Sequence, residues 1–146
     1  MALSKVSVRR LPDVAPPIPE GGGRMTSDAG ELAQIANGEP FRFLAYLQFK
    51  PDKGAPRGNH FHRVKNETLY VIGGRLRARF RDIDTGESMD LLLEPGDLVT
   101  VAPRCAHAYL PLEYSQAVEL SPSVYDPTDT LRFDLGITTP GRDEVR

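Results

Sequence analysis

The stretch that decides this chain is GAPRGNHFHRVKNETLYVIGG, Gly54 to Gly74. It holds two of the three histidines in 146 residues, His60 and His62, with Glu67 shortly after them; the third, His107, comes 45 residues past His62. On a strand, alternate side chains share a face, so His60 and His62 point to one side. Glu67 opens the following apolar run after a turn through RVKN, where an adjacent antiparallel strand brings its carboxylate beside the imidazoles. His107 follows the run EPGDLVTVA and is placed to close the set from across the sheet. Three neutral imidazoles and one carboxylate make a first shell for a divalent transition metal, with bonds of roughly 2.0–2.2 Å and positions left for water or substrate. The expected ligands are therefore His60, His62, Glu67 and His107, and the expected cofactor is one divalent ion: Zn, Fe, Mn, Ni or Cu.

Outward from this stretch the texture is that of short strands. FRFLAYLQF puts Phe41, Phe43, Ala45, Leu47 and Phe49 on one face. TLYVI is a β-rich run closed by Gly73-Gly74. RLRARFRD alternates strictly, with Leu76, Ala78 and Phe80 on one face and Arg75, Arg77, Arg79 and Arg81 on the other. SMDLLL, LVTVA, HAYLPL, QAVEL and LRFDL complete the set, with turns at Asp84–Gly86 and Glu94–Asp97. Regular strand spacing with no βαβ alternation predicts an all-β sandwich or barrel. Residues 1–40 read as a loosely structured, proline-rich arm. Within it KVSVRR is a short strand able to join a sheet edge or a partner subunit. Ala29 to Ala36 reads as a turn or two of helix, with Asp28 as its cap and Gly38 as its stop. The barrel is expected over 41–136 and a tail over 137–146.

Composition limits the rest. The chain is 40% hydrophobic and 26% charged, with net charge -2 and pI about 5.9, which fits one globular domain and argues against nucleic-acid binding by bulk charge. No apolar run approaches the roughly 20 residues of a membrane span. The opening residues lack the apolar middle of a signal peptide, and one cysteine, Cys105, precludes an internal disulfide. Together these predict a cytoplasmic location.

Two motifs resemble those of the cupin superfamily. The first has Gly54, five residues, His60-Phe61-His62, four residues, Glu67, six residues and Gly74, which meets every fixed position of the family pattern. The second, PGDLVTVAPRCAH, keeps His107 but has Ala102 where proline is usual and Arg104 where glycine is; Pro111 replaces a frequent asparagine. The resemblance implies a single-domain cupin, a double-stranded β-helix or jelly-roll barrel, with the metal inside. The longer run RGNHFHRVKNETLYVIGGRLRARFRD, together with SPSVYDPTDT further on, is similar to cupin domains of bacterial polysaccharide synthesis. In those, a zinc-bearing cupin at the end of a bifunctional nucleotide-sugar enzyme epimerises a keto-sugar. No Rossmann glycine fingerprint is present here, so a free-standing relative with a different substrate is expected.

Epimerisation beside a carbonyl requires an acidified α-proton and a base within about 3 Å of it. Metal-bound histidines are poorly suited to that role. Tyr109, two past His107, and Tyr46, on the face of its strand opposite Phe43 and Phe49, are the catalytic candidates; the bland alternative for each, and the one favoured, is a wall residue with a satisfied hydroxyl. By resemblance to the RG of sugar isomerases, Arg57 contacts a phosphate or sugar oxygen; otherwise it is a surface arginine. Glu119, on a core strand, reaches the site, acts as base or pairs with an arginine. The arginine row reads as a solvent face or dimer contact. Three function classes stay open: a metal-dependent isomerase or epimerase of a sugar or similar intermediate, an Fe(II)- or Cu-dependent dioxygenase, and a non-catalytic small-ligand binder. The expected partners are a small-molecule substrate and a second copy in a homodimer, with no nucleic acid and no membrane.

Overall fold

In the computed structural model, which describes residues 2–138, the alternating runs become strands. They are β1 (Val6–Arg10), β2 (Gly23–Ser27), β3 (Gly30–Gln34), β4 (Phe43–Phe49), β5 (Arg57–Phe61), β6 (Glu67–Gly73), β7 (Leu76–Asp82), β8 (Ser88–Leu93), β9 (Asp97–Val101), β10 (Cys105–Pro111), β11 (Ser115–Ser121) and β12 (Leu131–Arg132). A 3₁₀ turn spans Pro127–Asp129. One sheet has the order β1-β9-β6-β11-β4 and the other β12-β5-β10-β7-β8, the pair forming a jelly roll. Among the described residues no helix is long and apolar enough to cross a membrane.

The period-2 pattern dictates which side chains lie between the sheets. Leu76, Ala78 and Phe80 of β7 are fully buried, and they meet Leu69 and Val71 of β6, Val99 and Val101 of β9 and Ala117 of β11 in one cluster. Each large apolar side chain buried in this way contributes about 1.5–3 kcal/mol. The arginines of β7 face outward, where Arg77 and Arg79 pair with Asp90 of β8 at 3.3 and 2.9 Å. Asp90 of the neighbouring strand thus offsets part of the row's charge. β10 is buried on both faces, because Leu135 and Ile137 cover Ala108 and Leu110 from outside.

The first forty residues are more ordered than their proline content predicts. β1 pairs with β9 of the same chain from Val6↔Val101 to Arg10↔Asp97 and so forms an edge of the first sheet. The helix expected over Ala29 to Ala36 is instead strand β3, paired with β2 through Met25↔Leu32 and braced by Arg24 and Glu31 at 2.7 Å. The physical reason is length. Two isolated helical turns cannot repay their nucleation cost in water, whereas the hairpin gains a ladder and lays Ala33 and Ile35 on Leu11, Tyr70 and Leu98, on the outer face of the first sheet.

A charged knot ties the N-terminus to the barrel. Lys5 Nζ reaches Asp82 and Asp84 at 2.6 and 2.7 Å, and Arg104 meets Asp84 at 2.7 Å. The Lys5 ammonium holds the Asp82 carboxyl below its usual range, and Arg104 with Lys5 lowers Asp84 to about 2. Carboxyls lowered in the folded state stabilise it above their unfolded pKa and lose that contribution as pH falls through the folded value. Urea midpoints are therefore expected to drop between about pH 4 and 2, with a shallower drop in Lys5→Ala. Identical acid limbs in the two proteins would sink this assignment.

Candidate functional site

His60 and His107 lie on the second sheet, His62 just past the end of its strand β5, and Glu67 on the first. Gly58 and Asn59, just before His60, both have positive φ, 98° and 57°. A side chain at Gly58 would run into the His107 carbonyl. These two residues make the irregularity in the β5–β10 ladder, which puts His60 opposite His107. Phe61 turns outward against Phe133, ring centroids 6.4 Å apart, so that His60 and His62 share the inner side. Glu67 opens β6 in register with Val101 and points between the sheets.

One ligand atom from each of His60, His62, Glu67 and His107 lies within 4.8 Å of the other three. The imidazole centroids are separated by 4.9 Å (His60–His62), 4.8 Å (His60–His107) and 5.6 Å (His62–His107). Two rings are anchored through Nδ1: His62 donates to the Asp129 carbonyl at 2.6 Å and His107 to the Cys105 carbonyl at 3.0 Å. A ring nitrogen facing a carbonyl must carry the proton, which leaves Nε2 as a lone pair. Both Nε2 atoms approach Glu67 Oε2, at 3.3 and 2.9 Å. Among the described residues, none of these three buried atoms has a partner of hydrogen-bond geometry. They aim at a common point rather than at one another.

Burial, followed by the neighbouring His107 and His62, pushes His60 down to about 4, so its imidazole is neutral at pH 7. Burial opposes charge on His62, but Glu67 and the Asp129 carbonyl outweigh it and raise its pKa. Burial likewise works against the Glu67 carboxylate, and His107, His62 and Lys65 overcome it. Burial and then Glu67 hold the Tyr109 phenol well above its ordinary value, so it keeps its proton. Cys105 is also buried and is pushed up to about 11, which leaves it a thiol rather than a metal-seeking thiolate.

Of the catalytic candidates, Tyr109 lies inside the barrel, its ring centroid 5.9 Å from that of His107 and its hydroxyl without a partner among the described residues. Tyr46 is turned to the outer face of the first sheet, 54% exposed and bonded to Gln116 Nε2, and takes no place in the cluster. Arg57 is exposed; its Nε donates to the Gln48 carbonyl at 2.8 Å and its guanidinium lies 5.8 Å from the Phe49 ring centroid. Glu119 pairs with Lys65 at 3.5 Å, both side chains largely buried. Lys65 Nζ also sits 4.4 Å from the centroid of Phe43, which stacks on Tyr125. A cleft of about 490 Å³ runs along His62, Lys65, Tyr125 and Asp129. Lys65 and Asp129 are the residues that sequence reasoning passed over. Both lie inside runs quoted for their resemblance, and only their contacts in the folded chain reveal them.

Several known proteins are similar to this chain. Residues 31–110 match the family described as Polysaccharide biosynthesis C-terminal domain. A UDP-2-acetamido-2,6-beta-L-arabino-hexul-4-ose reductase of Pseudomonas aeruginosa is 32% identical over 79 residues, 53% of this chain and 20% of that relative's own length. Among solved structures, QdtA, a sugar 3,4-ketoisomerase from Thermoanaerobacterium thermosaccharolyticum in complex with TDP, has a TM-score of 0.70 at 22% identity over 90% of both chains. The rmlC epimerase of Mycobacterium tuberculosis has 0.69 at 14% identity, covering 89% of this chain and 69% of that one. At such identities the likeness establishes the fold, the cupin jelly roll expected from the two motifs.

Because Glu67 lifts His62, replacing it by glutamine should lower the His62 pKa in metal-free protein, read by NMR titration of the ring protons. An unchanged or higher value in Glu67→Gln would show that the two do not interact.

Proposed function

Because this chain belongs to the family of polysaccharide biosynthesis C-terminal domains, we propose that it is a metal-dependent isomerase or epimerase acting beside the carbonyl of a nucleotide-linked keto-sugar. The observation that carries this reading is the convergence of partnerless, buried Nε2 and Oε2 atoms from His62, His107 and Glu67 on one point beside His60. Lone pairs buried in this way are costly unless something shares them, and the donor set suits Zn, Fe, Mn, Ni or Cu. His60, His62, Glu67 and His107 would hold a divalent cation, which would supply Lewis acidity toward a carbonyl oxygen and so acidify the adjacent C–H.

The protein's own groups account for the remaining requirements. Tyr109 keeps its proton at Oη beside the cluster and can donate a hydrogen bond to a sugar oxygen. Phe49 and Phe80, edge-on to Tyr109, exclude water behind it. Glu119 faces the barrel next to the Lys65 ammonium, 3.5 Å away, and serves as the proton acceptor. Arg57 and Lys50 line a recess of about 400 Å³ and suit the nucleotide's diphosphate.

A second reading uses the same barrel without a cation. His60 alone of the three has no carbonyl on its Nδ1 among the described residues, and it is neutral at pH 7. As a free imidazole it can take the α-proton directly.

The deciding experiment is incubation with a nucleotide-linked 4-keto-hexose in D₂O under nitrogen. Deuterium is expected at the carbon beside the carbonyl. His62→Ala should hold less divalent metal by elemental analysis and be about 100-fold or more slower. Exchange that survives metal removal but fails in His60→Gln selects the second reading. Turnover that needs oxygen points to a dioxygenase, and binding without exchange points to a ligand carrier.

The reading extends to a homodimer. Leu44, Tyr46, Ile72 and Tyr114 are exposed, Leu44 by 68%, around β4, an edge of the first sheet. An exposed apolar patch on the outer face of the sheet favours association. Sedimentation should show a dimer that Tyr46→Asp weakens; a wild-type monomer at micromolar concentration would overturn this.

A further inference from the structure

The run SPSVYDPTDT, residues 121–130, has no role in the chemistry above, yet it makes the closest contacts to a proposed ligand. Its Asp126 carboxylate accepts from Thr128 N and Oγ1 at 2.9 and 2.7 Å, which braces the 3₁₀ turn Pro127–Asp129. The turn then grips the loop between His62 and Glu67 twice. The Asp129 carbonyl accepts from His62 Nδ1 at 2.6 Å. The Asp129 carboxylate accepts from three successive backbone N–H groups, of Arg63 at 2.7 Å, Val64 at 3.2 Å and Lys65 at 3.0 Å. Past the turn, β12 pairs with β5 through Leu131↔Phe61 and Arg132↔His60. Phe133 N donates to the Asn59 carbonyl at 2.8 Å, and Leu135 N to the Asn59 side chain at 3.0 Å.

We propose that Asp129 is a positioning residue for the metal site: through the turn it holds His62 in the Nδ1–H tautomer and fixes the loop that sets His62 relative to Glu67. This inference rests on the metal reading of the barrel. Charge-assisted bonds to three N–H groups are stronger than neutral ones, and they cover the segment that joins one ligand to the next. Partners that orient a ligating histidine typically change metal affinity 10- to 100-fold when removed. The carbonyl on Nδ1 belongs to the backbone and survives substitution. What Asp129→Ala removes is the clamp that keeps that carbonyl over the ring.

The test uses the full chain, with zinc as the probe ion and two measurements. Zinc affinity is read by chelator competition, and the His62 tautomer by ¹⁵N NMR of the metal-free protein. Asp129→Ala should weaken zinc by about 10- to 100-fold and move His62 from Nδ1–H toward a tautomer mixture. Asp129→Asn, which keeps an oxygen for the loop, should restore part of both. Wild-type affinity in Asp129→Ala overturns the proposal. So does lost affinity with the His62 tautomer unchanged, because general loosening then explains it. If Asp129→Ala does not fold, Asp129→Asn is judged by the same criteria, with intermediate values expected and wild-type values fatal. Should the wild type bind no zinc, the metal reading fails by itself, and the tautomer comparison alone decides the role of Asp129.

Discussion

Everything around the site depends on a carboxylate and two imidazoles buried face to face with no hydrogen-bond geometry among them. Glu67 enters from one sheet and His62 and His107 from the other, so the two layers meet at charged and lone-pair atoms where a purely apolar core would place methyl groups. Such a contact is costly unless the imidazoles balance the charge or a cation satisfies all of it. The structure invests accordingly: Nδ1 of each imidazole is occupied by a backbone carbonyl, and the third histidine stands close by in neutral form.

That demand explains local features that would otherwise look like defects. The ladder between β5 and β10 is broken at Gly58 and Asn59, and the break lets His60 face His107. Arg104, which stands where the superfamily's second motif usually has glycine, has φ of 61°, the left-handed conformation a glycine would take freely. A non-glycine there costs roughly 1–3 kcal/mol. Its N–H donates to the His62 carbonyl at 2.7 Å and its guanidinium pairs with Asp84. The same backbone shape is thus kept. The C-terminal segment performs the corresponding task on the other side of β5, so the ligand strand is held between β10 and a strap.

Much of this was legible beforehand. Strict alternation in RLRARFRD placed Leu76, Ala78 and Phe80 inside and the arginines outside, and this is where they lie. The grouping of His60, His62, Glu67 and His107 followed from spacing on strands. Other readings failed for identifiable reasons. Ala29 to Ala36 carries helix-like caps, but its conformation is decided by an apolar patch on a distant sheet that the local sequence does not reveal. Tyr46 sits on a strand of correct pattern and points the wrong way for chemistry. Lys65 and Asp129 are polar loop residues with no periodicity, and they acquire meaning only through partners 54 and up to 67 positions away, Glu119 and His62.

By itself, then, the sequence determined the strands of the barrel, the side their residues face and the four residues able to share an ion, because period-2 alternation and ligand spacing are local properties of the chain. Tertiary structure alone decided how those four are aimed and held. Which imidazole is anchored to a carbonyl, which hydroxyl is left without a partner and which aspartate clamps the ligand loop are set by contacts between segments remote in sequence. Those contacts exist only after two sheets have closed on each other.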